Sequence, residues 1–210
     1  MTRRGSAVLE LAVLGLLHDA PMHGYELRKR LNALLGTLRA FSYGSLYPCL
    51  KNMVADGWIC EGGPAGAGQT PVLAGRRGKI VYRLTAEGKE RLGELLAEAG
   101  PSAWDDDGFG VHFAFFAKTD SSVRLRILEG RRSRLEERQE GVRGTLARTR
   151  ERLDAYTLEL QRHGLESVER EVRWLNELIA TERSSASEPP QAAEKPNRAA
   201  AGPSSSTPNQ

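Results

Sequence analysis

Two cysteines in a chain of 210 residues, Cys49 and Cys60, are too few for a disulfide framework, and they read as small hydrophobes rather than a redox pair. No apolar run approaches the roughly 20 residues that span a bilayer. The most apolar stretch, AVLELAVLGLL at 7–17, is interrupted by Glu10, and no small-residue cleavage site follows it. The chain is therefore expected to be cytoplasmic, without membrane contact. Histidine is also scarce: His18, His23, His112 and His163 are scattered, and none has a cysteine or carboxylate at metal-ligand spacing. No glycine-rich phosphate loop follows a strand. Catalytic chemistry finds no support, so the expectation is a non-enzyme with no metal and no cofactor.

The stretch 184–210 lacks aromatic and branched aliphatic residues; it cannot bury enough apolar surface to offset its own ordering and reads as a disordered tail. The formal charge of +3 is small but uneven. Basic residues are in excess within 1–98, 99–183 is slightly acidic, and the tail is balanced. A basic first half suits a nucleic-acid partner.

What is present is helical periodicity. A first helix is predicted over about 6–18, with Leu9, Val13, Leu16 and Leu17 on one side and Ser6 as its cap. A second starts near Gly24, with Tyr25, Leu27, Leu31, Leu34 and Leu35 opposite Arg28, Lys29 and Arg30, and Gly36 stops it. A third spans about 45–56 and buries Leu46, Leu50, Met53 and Val54. With Ser45 as N-cap, Pro48 falls in the first turn, where its missing N–H is harmless; a start at Ser42 would force a kink. Asp56-Gly57 turns the chain into a strand at Trp58, and 62–78 is a long loop. Over 79–84, Ile80, Tyr82 and Leu84 alternate with Lys79, Val81 and Arg83, as in a half-buried strand. Thr85 opens a fourth helix whose Leu92, Leu95 and Leu96 face inward. This is the element order of a winged helix.

Beyond it lie an acidic, solvated linker (Asp105, Asp106, Asp107) and a short apolar segment at 109–116. A long helix is expected from Thr119 or Asp120 to about Arg162. Its Leu125, Leu128, Leu135, Val142, Leu146, Leu153, Tyr156 and Leu160 keep a 3-4 spacing, interrupted at Arg132, Gln139 and Thr149. Gly130, Gly141 and Gly144 weaken it by about 1 kcal/mol each, so packing must hold it. Gly164 is expected to break the chain before a last helix with Leu165, Val168, Val172, Leu175 and Ile179. Two such stripes call for a second copy of the chain. The expected fold is thus mainly α with a small β-hairpin: a winged helix-turn-helix at 1–98, a helical dimerisation arm at 99–183, and the tail.

In a helix-turn-helix the second helix of the pair enters the major groove by its N-terminal end. Here Ser42, Tyr43, Ser45 and Tyr47 supply hydroxyls and Lys51 a charge, although the two serines serve equally as caps and one tyrosine as core. Arg76, Arg77 and Lys79 fall at the wing tip, where they meet a phosphate or form an ordinary solvated cluster. Trp104, Phe109, Phe113, Phe116 and Trp174 are candidates to line a pocket for an unidentified small-molecule effector; their alternative is core packing.

The stretches LELAVLGLL (9–17), HGYEL (23–27), SYGSLYPCLKNMVADGWI (42–59) and VYRLTAEGKERL (81–92) resemble the PadR family of bacterial regulators. They cover nearly all of the first 92 residues in order. The C-terminal region, through FAFF (113–116), LRILEGRRSRLEER (125–138) and VRWLNELIATER (172–183), is similar to long-armed PadR-like proteins of actinobacteria. The resemblance implies a homodimer that binds a palindromic DNA operator, usually as a repressor, through the reading-helix residues above and the wing. It supplies no shared effector pocket. The wing, 62–78, is longer than the compact family pattern. Two rival readings share the fold: a winged-helix protein-interaction module, and a small-ligand-sensing scaffold without direct DNA binding.

Overall fold

The computed structural model describes residues 3–35, 43–62, 80–149 and 152–187. Its first half runs α1 (Arg3–Asp19), β1 (Met22–His23), α2 (Gly24–Leu35), α3 (Tyr43–Ala55), β2 (Ile59–Gly62), β3 (Val81–Leu84) and α4 (Ala86–Ala97). The four expected helices and the two strands of the hairpin are present. A third strand was not foreseen. β1 pairs antiparallel with β3, Met22 opposite Tyr82 and His23 opposite Val81, giving the sheet order β1-β3-β2. Two residues between Pro21 and a helix leave no alternation to detect; His23 adds a side-chain tie, its Nδ1 donating to the Ile80 carbonyl at 3.2 Å.

α1 starts at Arg3, so Ser6 lies inside the helix rather than capping it. The helix is buried almost all round: Val8, Leu9, Leu11, Ala12, Val13, Leu14, Leu16 and Leu17 belong to one core. Leu27, Leu31 and Leu35 of α2, Leu46, Leu50 and Met53 of α3, and Leu92 and Leu95 of α4 close around it. Tyr25 and Leu34 depart from the expected α2 stripe and are exposed, as is Ile80 just before β3. α3 ends as Asp56-Gly57 predicts. Gly57 takes φ 76°, and the Trp58 N–H reaches back to the Met53 carbonyl at 2.9 Å. Thr85 caps α4 by accepting from the Gly88 N–H at 3.0 Å and ties it to that turn, its hydroxyl donating to the Gly57 carbonyl at 2.7 Å.

The second half begins with two short helices, α5 (Pro101–Trp104) and α6 (Phe109–Ala114), and a 3-10 turn, Phe116–Lys118. The acidic tract between them is not merely a solvated linker. Asp105 Oδ1 accepts the N–H groups of Asp107 and Gly108 at 3.1 and 2.7 Å, and Asp106 pairs with Arg131 at 2.6 Å. Phe115 and Val111 enter the α1 core, whereas Phe109 and Ala103 join a second core. At Gly15 a Cβ would stand 2.4 Å from the Phe115 ring, so only glycine lets this segment lie on α1. Lys118 fastens it there, with Nζ 3.0 Å from the Gly15 carbonyl and 2.6 Å from Asp19, whose carboxyl this hydrogen bond holds below its usual range.

α7 (Ser121–Thr149) and α8 (Ala155–Ser187) form an antiparallel hairpin. The expected long helix to Arg162 is therefore overturned: the break falls before Ala155, and Gly164 lies within α8. Asp154 decides this as an N-cap, accepting the N–H groups of Tyr156 and Thr157 at 2.9 and 3.0 Å. A single exposed glycine costs about 1 kcal/mol, too little to end a helix so well packed further on. α8 also runs four residues past Arg183, with Ser184 and Ser185 hydroxyls each donating back to a carbonyl one turn earlier at 3.0 Å. Of the expected tail, 188–210 lies outside the described residues. Gly130, which sequence alone marks as a weakness, admits the Trp104 indole, 2.5 Å from where its Cβ would be.

His112 on α6 is 4% exposed, and among the described residues its Nδ1 has no hydrogen-bond partner. Burial pushes the imidazole down to about 4, Asp105 opposing only in part. The folded state thus holds a neutral histidine that unfolding lets protonate near its ordinary 6.5. This contribution to stability is complete above that value and is lost as pH falls toward the folded one. From about pH 7 to pH 5 the loss is roughly 2 kcal/mol. Urea unfolding across that window should show it, and His112→Leu should remove that part of the slope. An unchanged slope in the variant would show that other groups carry the acid sensitivity.

Candidate nucleic-acid interface

α3 presents two faces. Leu46, Cys49, Leu50 and Met53 are buried against α1, whereas Gly44, Tyr47, Pro48, Lys51, Asn52 and Ala55 are exposed. The exposed set follows the i, i+3, i+4 rule, so the Tyr47 ring, the Lys51 ammonium and the Asn52 amide share one outward strip. Tyr47, 43% exposed, is held by the hydroxyl end of its ring: a Cβ on Gly24 would lie 3.2 Å from the Tyr47 Cε1 and hydroxyl oxygen. The helix thus holds its tyrosine against the start of α2 while the rest of the ring faces solvent. Ser45 is half-buried at the border of the two faces.

The later helix start expected from Pro48 is corrected. α3 begins at Tyr43 and contains Pro48 as its sixth residue. Pro48 has no N–H to offer the Gly44 carbonyl four residues back, but both residues are exposed, and water can reach that oxygen. Glycine at 44 also leaves the least bulk beside the proline ring. Cys49 is inert: burial, with Glu10 nearby, pushes its thiol up to about 12, and its Sγ sits 3.6 Å from the Met53 sulfur.

Of the residues expected to meet DNA, Tyr47 and Lys51 share the exposed strip and Ser45 borders it. Tyr43 opens the helix, and its side chain lies outside the described residues, as do Ser42, Arg76, Arg77 and Lys79. Sequence reasoning did not single out Asn52 and Gly44, although their spacing from Tyr47 and Lys51 was available. It also placed Tyr25 in the core. Tyr25 is 62% exposed with the Arg28 guanidinium 5.9 Å from its ring centre, and Lys29 is exposed beside it. Arg30 is held by Glu26 at 2.8 Å.

The residues expected to pair two chains divide into two groups. Leu128, Leu135 and Leu175 are buried within the hairpin's own core, together with Ile127 and Ile179. Leu125, Val168 and Val172 pack partly against it, and Val142, Leu146, Leu153 and Leu165 are half-buried toward the hairpin tip. Of the expected effector-lining aromatics, Phe109, Phe113 and Trp174 line one cavity; Trp104 lies on Gly130, and Phe116 packs on Phe113 with ring centres 4.9 Å apart. Among the described residues no three His, Cys, Asp or Glu side chains gather as a metal site, and no helix is long and apolar enough to cross a membrane.

Residues 13–94 match the family model described as the transcriptional regulator PadR-like family. The negative transcriptional regulator PadR of Bacillus subtilis (strain 168) is 29% identical over 94 residues, 45% of this chain and 48% of that protein. The match thus spans about half the length of that relative. Among solved structures, B. subtilis PadR in complex with operator DNA is 20% identical, covering 83% of this chain and 99% of that one at a TM-score of 0.39. The regulator TA0346 from Thermoplasma acidophilum is 31% identical over 42% of this chain and 75% of that one, at a TM-score of 0.34. The family match covers the helices and the sheet around the exposed strip of α3, and over residues 13–94 the chain is similar to the PadR-like family of transcriptional regulators.

Proposed function

We propose that this chain is a cytoplasmic, non-enzymatic transcriptional regulator that binds a palindromic operator as a homodimer and represses from it. The observation that carries the reading is the exposed strip of α3, with Tyr47, Lys51 and Asn52 side by side on a PadR-like domain. Groove recognition needs such a strip: a rigid helix, donors and acceptors at one end, and a charge for phosphate. By their positions in the sequence, Ser42, Tyr43 and Ser45 and the basic tract Arg76, Arg77 and Lys79 are assigned further contacts with DNA in this reading. Repression is supported by the word "negative" in the name of the Bacillus relative. In this reading 1–98 is the DNA-binding unit and 99–183 the dimerisation unit.

The hairpin leaves part of its own apolar stripe uncovered, and this supports pairing with a second chain. Near its base the apolar stripe is closed by Ile127, Leu128, Leu135, Leu175 and Ile179. Toward the tip, Tyr156 is 90% and Leu160 67% exposed, and Val142, Leu146, Leu153 and Leu165 are half-covered. Soluble monomers seldom leave such a continuous apolar surface open. A second hairpin laid along it would cover these residues and set the spacing between two reading helices, coupling partner geometry to half-site spacing.

Fluorescence anisotropy on fragments of the protein's own promoter region should give tight, salt-dependent binding. Lys51→Ala should lower the slope of log affinity against log salt by about one unit, as expected for one lost phosphate contact. Tyr47→Ala should weaken binding with the circular dichroism spectrum unchanged. Native binding in both variants would assign the reading role to another element.

The pairing has its own measurement. Leu146→Glu combined with Leu160→Glu changes no buried side chain of the hairpin core, so the helices should persist. Each glutamate would cost several kcal/mol if enclosed between two chains. Sedimentation equilibrium should find a wild-type dimer and a monomeric variant, and the variant's affinity for a two-half-site operator should fall toward that for one half-site. A wild-type monomer at micromolar concentration would remove both the dimer and the palindromic mechanism.

A further inference from the structure

Gly24 opens α2 directly after β1, and it is buried. Its backbone does not call for glycine: among the described glycines the left-handed φ belongs to Gly57 alone. Alanine would serve an α-helix at least as well. What the position demands is space. A Cβ at 24 would stand 3.2 Å from both Cε1 and the hydroxyl oxygen of Tyr47 and 3.4 Å from Cζ. Its three nearest neighbours thus all belong to one side chain of α3, the tyrosine of the exposed strip.

We infer that Gly24 is a positioning residue for DNA reading: lacking a side chain, it lets Tyr47 lie with its hydroxyl end on α2 and turn the flank of its ring toward the groove. The inference deepens the operator reading above and rests on it. A tyrosine held by its hydroxyl end meets DNA with ring carbons, the chemistry that suits an apolar group such as a thymine methyl. Polar contacts are then left to Lys51 and Asn52 on the same strip.

The junction that receives the ring is fixed from two further sides. Met22 and His23 pair with Tyr82 and Val81 of β3, and Leu27, the next buried side chain of α2, sits in the core. Tyr82 is buried near Tyr47: burial pushes its hydroxyl above the ordinary value, and Glu61 and Tyr47 add to the effect. Side chains that recognise a partner must be held to within about 0.5 Å, and a ring resting on such a junction meets that demand. A methyl group at 24 would press on Tyr47 and little else.

Two measurements separate the contact from its use. In the free protein, carbon–proton NMR of ring-labelled tyrosine should show Gly24→Ala displacing the Tyr47 resonance, identified by its loss in Tyr47→Phe, while Tyr156 on α8 stays in place. An unmoved Tyr47 resonance would overturn the proposal. On promoter fragments, Gly24→Ala should lose about tenfold in affinity, the size of one good base contact. Added to Tyr47→Ala, it should cost nothing further, and Tyr47→Phe should stay within about threefold of the wild type. Additive losses would give the glycine a role apart from Tyr47, and Tyr47→Phe as weak as Tyr47→Ala would make the hydroxyl the contact; either result overturns the proposal. Circular dichroism should be native throughout. If Gly24→Ala alone does not fold, a native fold in the double variant still assigns the glycine to Tyr47, and failure of both overturns the assignment. A displaced resonance in a chain with no affinity for any promoter fragment would refute the operator reading alone.

Discussion

α1 must be covered on nearly every side. A helix that places Val8, Leu9, Leu11, Ala12, Val13, Leu14, Leu16 and Leu17 in the core has no face to give to water. α2, α3 and α4 cover three of its sides, and α6 with Phe115 supplies more from the second half of the chain. The two halves are therefore not beads on a string. Gly15 is a point of close approach, because any side chain there would collide with Phe115, and Lys118 pins the same spot by holding the Gly15 carbonyl and Asp19 together. A displacement of α6 must be felt by α1, and through α1 by the buried side of α3.

Arg131 plays the matching part on the other side of the joint. It is almost fully buried on α7, yet its partners come from different segments: Asp106 from the α5–α6 turn and Glu171 from α8. A buried ion pair adds little net stability compared with a well-packed apolar substitute, but losing one partner is costly, on the order of 3–5 kcal/mol. The pairing therefore acts mainly on geometry, fixing the turn that starts α6 to one register of the hairpin. Trp104, lodged over Gly130, adds an apolar contact to the same joint.

How much of this could be read from residues alone depended on whether the signal was local. The helices of the first half were legible because their apolar residues recur at 3-4 spacing, and the Asp56-Gly57 turn and the Thr85 cap carry residue-specific chemistry. β1 was not, since two residues carry no period. Pro48 misled in a definite way: treating its missing N–H as a penalty moved the helix start to Ser45, whereas an exposed Gly44 carbonyl lets the helix begin at Tyr43. Gly164 misled similarly, outweighed by the Asp154 cap and by the packing of Leu175 and Ile179. Asp106 looked like linker because its partner, Arg131, is 25 residues away, and nothing local announces a contact at that separation. Lys51 and Tyr47 were visible from type and spacing, whereas the exposure of Tyr25 depended on what α2 packs against.

The hairpin does not cover its apolar repeat equally along its length. Its register is set near the base, where Arg124 holds Glu182 through two bonds at 3.0 and 2.8 Å and Arg131 holds Glu171. Toward the tip the cross-helix pair is Arg143 with Glu169, whose arginine is mostly exposed and is worth little in water. The apolar side chains follow the same gradient, from full burial at Ile127 and Leu175 to half-burial at Val142 and Leu146 and exposure at Leu160. A helix pair fixed at one end and loose at the other keeps its separation adjustable where it is least packed. A second chain docking at the tip would find apolar surface and some freedom to fit it. The fixed base would then carry the resulting geometry back to α6 and α1, on which α3 rests.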